Sequence, residues 1–348
     1  MGKFLALFII LIIYSSQTLA CNAKRCSQLF NDSDITSGFY FQKSGISHSK
    51  KYGMQIVNSS DGHPVRKGKK SIRFEVGMDD CNGVDCKTDR ARWEFTGKDE
   101  NKSYFSGTWW YAWSIFYPKD VETPTGSKIA LGQFKAGDNP PFMFQAQRNG
   151  AKGKGITPVS GGYWIDNQVP LGGKVITTRS GTYLASGVTN EIIEGIKPSE
   201  FKGKWIDVLI NAKWTSDNDG FFKVWLNKDL KYDWKGPTKA KNEGVFFKFG
   251  VYRSFLVRDL IVENIKTNKK FESCFKNDIK TPGKPDGLKQ KHIDKIKEWW
   301  AFNNKMKGHL VDWYSQCKKF ATIKKSPKIV VYFDEIRAGR SRKSVEIN

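Results

Sequence analysis

The sequence predicts an all-β protein, a sandwich or barrel of short strands, with a small helical insertion near the C-terminus. Through most of the chain, short segments of alternating apolar and polar residues follow one another, with turn residues between them. Apolar residues recur at helical spacing only later, at Ile293, Ile296 and Trp300 and then at Leu310, Trp313, Cys317 and Phe320. We therefore expect two helices within an insertion at about residues 275–325.

Residues 1–20 have the pattern of a secretory signal. Lys3 precedes an apolar run from Phe4 to Tyr14, and the segment ends in small residues at Ala20. The run is shorter than the roughly 20 residues that a membrane span needs, and no second apolar run of that length follows. We expect a secreted or periplasmic protein in which residues 21–348 form a single domain.

The strands can be assigned in order from the alternation. They are predicted at residues 71–76, 90–95, 109–117, 128–135, 142–147, 205–214, 221–227, 245–253 and 329–336. A turn at Asn218-Asp219-Gly220 joins two of them into a hairpin. Alternation places Arg90, Arg92 and Glu94 on one face of their strand. It likewise gathers Leu131, Gln133 and Lys135 on one face of theirs. The last strand is expected to rejoin the sheet after the insertion.

The six cysteines are expected to pair, because export places them in an oxidising compartment. Proximity favours Cys21–Cys26, Cys81–Cys86 and Cys274–Cys317, although six cysteines permit 15 connectivities. The last of these bridges would pin the two helices. Metal binding by the cysteines is the alternative, but their spacings fit no zinc pattern.

The predicted strand at residues 245–253 has two different faces. Phe247, Phe249 and Val251 alternate with Lys248, Gly250 and Tyr252. The apolar face predicts a core. The other face presents the ammonium group of Lys248, the side-chain-free backbone of Gly250 and the phenol of Tyr252. Such a surface is suited to binding an anionic polymer. The alternative is an ordinary half-buried strand whose Lys and Tyr meet water.

The charge balance predicts a polyanionic partner. The chain has 58 Lys and Arg against 35 Asp and Glu, and removal of the signal lowers its formal charge from +23 to about +22 by loss of Lys3. Aromatic residues make up 14% of the chain, with 12 Trp, which suits stacking on sugar rings. No nucleic-acid-binding pattern is present, so an acidic polysaccharide is favoured over nucleic acid. A purely solubilising role for the lysines is the alternative.

Three segments resemble a known enzyme family when they are set side by side. They are Arg92-Trp93-Glu94, Gln133-Phe134-Lys135 and the stretch from Phe247 to Tyr252. Their order and spacing resemble the jelly-roll polysaccharide lyases, which include alginate lyases, glucuronan lyases and heparin lyase I. These enzymes carry Arg-x-Glu, Gln-x-His and Tyr-Phe-Lys-x-Gly-x-Tyr strands on one concave sheet. The resemblance covers roughly residues 65–258 and 329–340.

The resemblance implies a concanavalin-like β-jelly-roll with a groove that cleaves an acidic polysaccharide by β-elimination. It implies Tyr252 as the acid and base, and Arg92 and Gln133 as the groups that neutralise the substrate carboxylate. Further groups expected to bind substrate are Lys135, Lys248, Arg90, Arg253, Tyr163 and His63. No cofactor is implied, structural Ca²⁺ is not indicated, and we expect a monomer. Tyr163 could equally re-enter a core.

One position departs from the family pattern, because Lys135 stands where the family often has His. Either another residue removes the proton or catalysis has been lost. A lysine acts as a base only when burial or neighbouring cations lower its pKa. We expect Lys248, Arg253 and Lys135 to lower the pKa of Tyr252 instead, with His63 as a second candidate base. Glu94 is expected to orient Arg92.

Two other functions remain open from the sequence. A lectin-like protein of the same fold would bind acidic glycans without cleaving them, which the Lys135 departure favours. A glycoside hydrolase needs two carboxylates flanking the cleaved bond, and no such pair is evident on the matched strands. His292 and His309 are expected to be surface or packing residues, and Asp334 and Glu335 to have a structural role rather than to bind a metal.

Overall fold

The computed structural model describes residues 35–46, 50–124, 127–137, 139–147, 162–169, 175–178, 181–184, 191–277 and 306–347. The predicted signal at residues 1–20, the predicted Cys21–Cys26 bridge and the predicted helix around Ile293 lie outside these ranges.

Two antiparallel sheets face each other across a common core. The first sheet contains β1 (Thr36–Ser37), β3 (Met54–Asn58), β4 (Lys70–Val76), β6 (Gly107–Phe116), β13 (Trp205–Trp214), β14 (Phe221–Leu226), β15 (Asp229–Lys235) and β17 (Ile329–Gly339). Its order is β15-β14-β13-β6-β17-β4-β3, and β1 pairs in parallel with β17. The late strand β17 rejoins the sheet, as the sequence predicts, and it lies between β6 and β4.

The second sheet contains β2 (Phe39–Ile46), β5 (Arg90–Asp99), β7 (Lys128–Ala136), β8 (Asn139–Gln147), β9 (Tyr163–Asn167), β12 (Glu191–Ile196) and β16 (Val245–Ser254). Its order is β12-β9-β8-β7-β16-β5-β2, so β16 lies between β7 and β5. A separate hairpin pairs β10 (Val175–Thr178) with β11 (Gly181–Leu184). The predicted all-β jelly-roll sandwich is confirmed.

Aromatic side chains fill the space between the sheets. Phe247 and Phe249 of β16 are fully buried. The Phe247 ring centroid lies 5.0 Å from that of Phe134 and 4.9 Å from that of Trp113. Burying each such side chain contributes about 1.5–3 kcal/mol. The apolar face of β16 therefore anchors the second sheet to the first, as its alternation predicts.

A β-bulge in β7 makes one sequence prediction wrong. Alternation alone placed Leu131 beside Gln133 and Lys135. The pairing of β7 with its neighbours shifts between Ala130 and Gly132, and Leu131 is fully buried in the core. An extra residue in a bulge reverses the faces on either side of it. Lys128 and Ala130 therefore lie on the same outer face as Gln133 and Lys135.

The helical insertion near the C-terminus is confirmed, but it begins earlier than expected. The helices α3 (Leu256–Thr267) and α4 (Lys269–Asn277) precede residue 278, and α5 (Met306–Cys317) matches the second predicted helix. Two further short helices are α1 (Gly83–Lys87) and α2 (Pro198–Phe201). Phe255, with φ of 66°, turns the chain from β16 directly into α3. No helix in the described ranges is both long and apolar enough to span a membrane.

The helices α3, α4 and α5 share a core of their own, separate from the sandwich core. Phe271, Phe275, Trp313 and Tyr314 are buried in it. The Cys274–Cys317 bridge joins α4 to α5, and the Cys81–Cys86 bridge closes the loop that contains α1. Both bridges are those that the sequence predicts.

We predict that the two bridges stabilise the protein unequally. The Cys274–Cys317 bridge spans a sequence separation of 43 residues and the Cys81–Cys86 bridge one of 5. From loop-closure entropy, replacing both cysteines by Ala should lower the free energy of unfolding by about 4 kcal/mol for the long loop and about 2 kcal/mol for the short one. Urea unfolding of the two double variants measures the difference. Equal losses would contradict this prediction.

Candidate active site

The predicted catalytic residues lie on one outer face of the second sheet. Tyr252 of β16 pairs with Arg92 of β5 on one side and with Ala130 of β7 on the other. Lys248, four residues earlier, pairs with Gln133 of β7. Because side chains alternate along each strand, all of these project away from the core. The sheet therefore brings Arg92, Gln133 and Tyr252 onto one surface, which we call the groove face.

The carboxylate of Glu94 is the centre of the groove face. It is only 2% exposed. Its Oε1 accepts a hydrogen bond of 2.6 Å from Gln133 Nε2, and its Oε2 accepts one of 2.8 Å from Lys248 Nζ. Arg92 lies farther away, with 4.0 Å between its Nη1 and Glu94 Oε2. Glu94 thus orients Gln133 and Lys248 more directly than Arg92, which differs from the sequence expectation.

Arg92 is held instead by Asp85 in the disulfide-closed loop. Its Nε donates to Asp85 Oδ2 at 2.9 Å and its Nη2 to Oδ1 at 2.5 Å. This two-point contact raises the pKa of Arg92 further above its ordinary value. The guanidinium carbon lies 5.0 Å from the ring centroid of Tyr252. Asp85 was missed from the sequence, although its small cysteine-closed loop directly before the Arg-x-Glu strand was the available signal.

Tyr252 carries a protonated phenol. Burial raises the pKa of Tyr252 above its ordinary value, and the positive charges of Arg90 and Arg92 oppose this shift only in part. The expectation that neighbouring cations lower this pKa is therefore wrong. In the described part of the chain, its hydroxyl has no hydrogen-bond partner. The group is available to donate a proton to a ligand.

Three basic residues surround this centre on the groove face. Lys135 is half-buried opposite Phe246, two residues along β7 from Gln133. Arg90 and Lys128 both lie opposite Ser254, on either side of β16. Lys128 was not singled out from the sequence, because its place on this face depends on the bulge in β7.

Arg253 does not lie on the groove face. It is fully buried on the opposite side of β16. Its Nη1 donates to the carbonyl oxygen of Val76 at 3.1 Å and its Nη2 to Ser326 Oγ at 2.9 Å. Alternation along β16 sends neighbouring Tyr252 outward and Arg253 inward. The structure therefore contradicts a substrate-binding role for Arg253.

Tyr163 and His63 are also placed away from this face. Tyr163 is fully buried between the sheets, where its ring stacks on Phe201 and its hydroxyl accepts a hydrogen bond from Trp113 Nε1 at 3.3 Å. It re-enters the core and cannot stack on a sugar. His63 Nδ1 lies 3.1 Å from the hydroxyl of Tyr332 of β17, which belongs to the first sheet. Neither a substrate contact nor a base role fits these positions.

Polar side chains continue across β8 and β9. Gln145 is 1% exposed and lies opposite Ala130 on β7 and Trp164 on β9. Its Nε2 donates to Asp166 Oδ2 at 2.9 Å, and its Oε1 has no hydrogen-bond partner in the described ranges.

Within those ranges, no group of three His, Cys, Asp or Glu residues is placed to hold a metal ion.

Comparisons with known proteins give one family match. A model of the polysaccharide lyase family matches residues 42–280. The endo-β-1,4-glucuronan lyase of the fungus Trichoderma reesei is 14% identical, with a TM-score of 0.48 over 88% of this chain and 97% of that one. A family 7 alginate lyase in complex with substrate is 12% identical, with a TM-score of 0.40 over 86% and 85%. A β-glucanase catalytic domain from Podospora anserina is 11% identical, with a TM-score of 0.36 over 62% and 84%. No curated protein matches the chain.

We predict that Glu94→Gln destabilises the fold by about 3 kcal/mol, because it leaves the buried ammonium of Lys248 without a counter-charge. The measurement is the free energy of unfolding in urea at neutral pH. Glu263→Gln is the matched control, since the Glu263–Lys266 pair is exposed and its loss should cost under about 0.5 kcal/mol. Similar losses for the two variants would show that Glu94 does not have this role.

Proposed function

Because the chain belongs to the polysaccharide lyase family, we propose that it is a secreted enzyme that cleaves a uronate-containing polysaccharide by β-elimination. The observation that carries this proposal is the groove face, on which Arg92, Gln133 and Tyr252 surround the buried carboxylate of Glu94. The formal charge of about +22 after removal of the signal supports an anionic substrate.

The chemical difficulty of this reaction lies in the proton at C5 of the uronate. While the neighbouring carboxylate is fully anionic, removal of that proton would build a second negative charge beside the first. Donors that neutralise the carboxylate lower this barrier by stabilising the developing aci-carboxylate. Gln133 keeps a second amide hydrogen after its bond to Glu94, and Arg92 carries a fixed positive charge. We assign carboxylate neutralisation to these two residues.

Tyr252 is assigned the role of the acid that protonates the departing O4. A phenol with a raised pKa remains protonated at neutral pH, and its hydroxyl has no competing partner in the described ranges. The cation of Arg92 against its ring stabilises the phenolate that forms as the proton leaves. Lys248, Lys135 and Arg90 are assigned to binding the acidic chain along the face.

A second candidate function is supported by one specific observation. Lys135 replaces the imidazole that the resemblance leads us to expect beside Gln133. A protein of this fold without a base would bind acidic glycans as a lectin does. Incubation with a panel of polyuronates separates the two functions, because only elimination produces the ultraviolet absorbance of a C4=C5 double bond.

We predict that Tyr252→Phe lowers turnover at least a hundredfold while the affinity for the polymer changes less than about threefold. The variant lacks the proton donor but keeps the ring beneath Arg92. Initial rates from the ultraviolet signal and calorimetric titration measure the two effects. Tyr314→Phe, in the helical insertion, is the control and should behave as wild type. Unchanged turnover of the Tyr252 variant would place the acid elsewhere.

We predict that binding of the polymer weakens steeply with salt. The attraction between exposed charges is screened over about 10 Å at 0.1 M and about 3 Å at 1 M ionic strength. Calorimetric titration of the inactive Tyr252→Phe variant over this range should show at least a tenfold rise in Kd. A neutral polysaccharide of the same length serves as the control ligand. An affinity that does not depend on salt would argue against a charged contact.

A further inference from the structure

The proposed elimination needs a group that accepts the C5 proton. The candidates named from the sequence do not supply one. Tyr252 has a raised pKa and stays protonated, and His63 lies against the first sheet. Glu94 already accepts hydrogen bonds on both of its oxygens. The ammonium of Lys248 is held in an ion pair with that same carboxylate.

Lys128 and Tyr252 are diagonal neighbours across the β7–β16 pair. Lys128 occupies the first position of β7 opposite Ser254, while Tyr252 pairs with Ala130 two residues along the same strand. Diagonal neighbours of this kind have Cα atoms roughly 7–8 Å apart, which is within the reach of a lysine and a tyrosine side chain. Ala130 between them has only a methyl group.

The amine of Lys128 is less constrained than that of Lys248. It is half-buried, and it has no hydrogen bond or ion pair within the described part of the chain. Near Lys128, the buried atoms Arg90 Nε, Ser127 Oγ and Gln145 Oε1 have no hydrogen-bond partner within the described residues. Buried polar atoms without a partner are rare in native proteins, and a catalytic role is one of their known explanations.

The charges facing Lys128 come from the neighbouring strands. Arg90 of β5 disfavours a second cation, and Asp166 of β9 favours one. Asp166 already accepts hydrogen bonds from Gln145 and Gln168, at 2.9 Å each. Burial is the largest effect, and together with Arg90 it outweighs Asp166, so the pKa of Lys128 is lowered from its ordinary value. The phenol of Tyr252, the diagonal neighbour on β16, is neutral because its pKa is raised.

We propose that Lys128 is the base of the elimination, a role that rests on the proposed function. The neutral amine forms an N–H bond as the C5–H bond breaks. The electron pair of that bond becomes the C4=C5 double bond as the C4–O4 bond breaks. The departing O4 takes the proton of the Tyr252 hydroxyl. The step leaves a lysine ammonium and a tyrosine phenolate, and proton transfer between them through water restores both groups.

Substitution of Lys128 separates a base from a binding cation. Lys128→Arg keeps the positive charge, but the guanidinium cannot lose its proton and so cannot act as a base. Lys128→Ala removes the amine. Both should lower kcat about a thousandfold with KM changed less than about threefold. Small primary amines such as methylamine should restore part of the lost rate to Lys128→Ala only. Lys223→Arg, on the first sheet, is the matched control and should keep wild-type rates.

A second measurement needs no substrate. The pH dependence of acetylation by acetic anhydride, followed by peptide mass mapping, reports the protonation of each lysine. Lys128 should react at lower pH than Lys223. Equal profiles, or a Lys128→Arg variant with full turnover, would overturn the role of Lys128 while leaving the lyase function intact. A wild-type protein that forms no unsaturated product from any polyuronate would overturn the proposed function itself, and the role of Lys128 with it.

Discussion

The ion pair between Glu94 and Lys248 is the constraint on which the groove face depends. Taking two charges out of water costs several kcal/mol for each ion, and the cost is offset only when both are well paired. Glu94 meets this condition by accepting from Lys248 on one oxygen and from Gln133 on the other. One buried carboxylate therefore fixes two groups that a substrate would meet. Arg92 approaches Glu94 only to 4.0 Å, and its closer partner is a different carboxylate.

That partner comes from outside the sheet. Asp85 lies on α1, inside the loop that the Cys81–Cys86 bridge closes, and it binds Arg92 at two points. The guanidinium is thereby held over the ring of Tyr252. In the proposed reaction, a fixed cation at this position needs no rearrangement as charge develops on the phenol, and electrostatic stabilisation is strongest under that condition. The small disulfide loop thus orders the groove face as well as stabilising the fold.

Much of this arrangement could be predicted from the sequence, because strand alternation is a local property. It placed Arg92 and Glu94 together, and Lys248 with Tyr252, on the correct face. The bulge in β7 could not be predicted, because it arises from pairing with β8 and β16. It places Leu131 in the core and Lys128 on the groove face. The pKa of Tyr252 was predicted in the wrong direction because nearby cations were counted and burial was not. The helix α3 was also missed; it begins directly after Phe255, whose positive φ follows the end of β16.

A basic groove changes what a lysine can do. Cations that attract an acidic polymer also disfavour further positive charge, so each one makes a neighbouring amine easier to keep neutral. A bound uronate has the opposite effect, because its carboxylate would stabilise an ammonium beside it. Under the proposed function, neutralisation of that carboxylate by Gln133 and Arg92 therefore has two effects. It stabilises the charge that develops at C5, and it limits the rise in the pKa of any amine that must accept the proton.

In such a groove a lysine can replace an imidazole as the base, provided that no protein carboxylate pairs with it. Lys128 meets this condition within the described chain, and Lys248 does not.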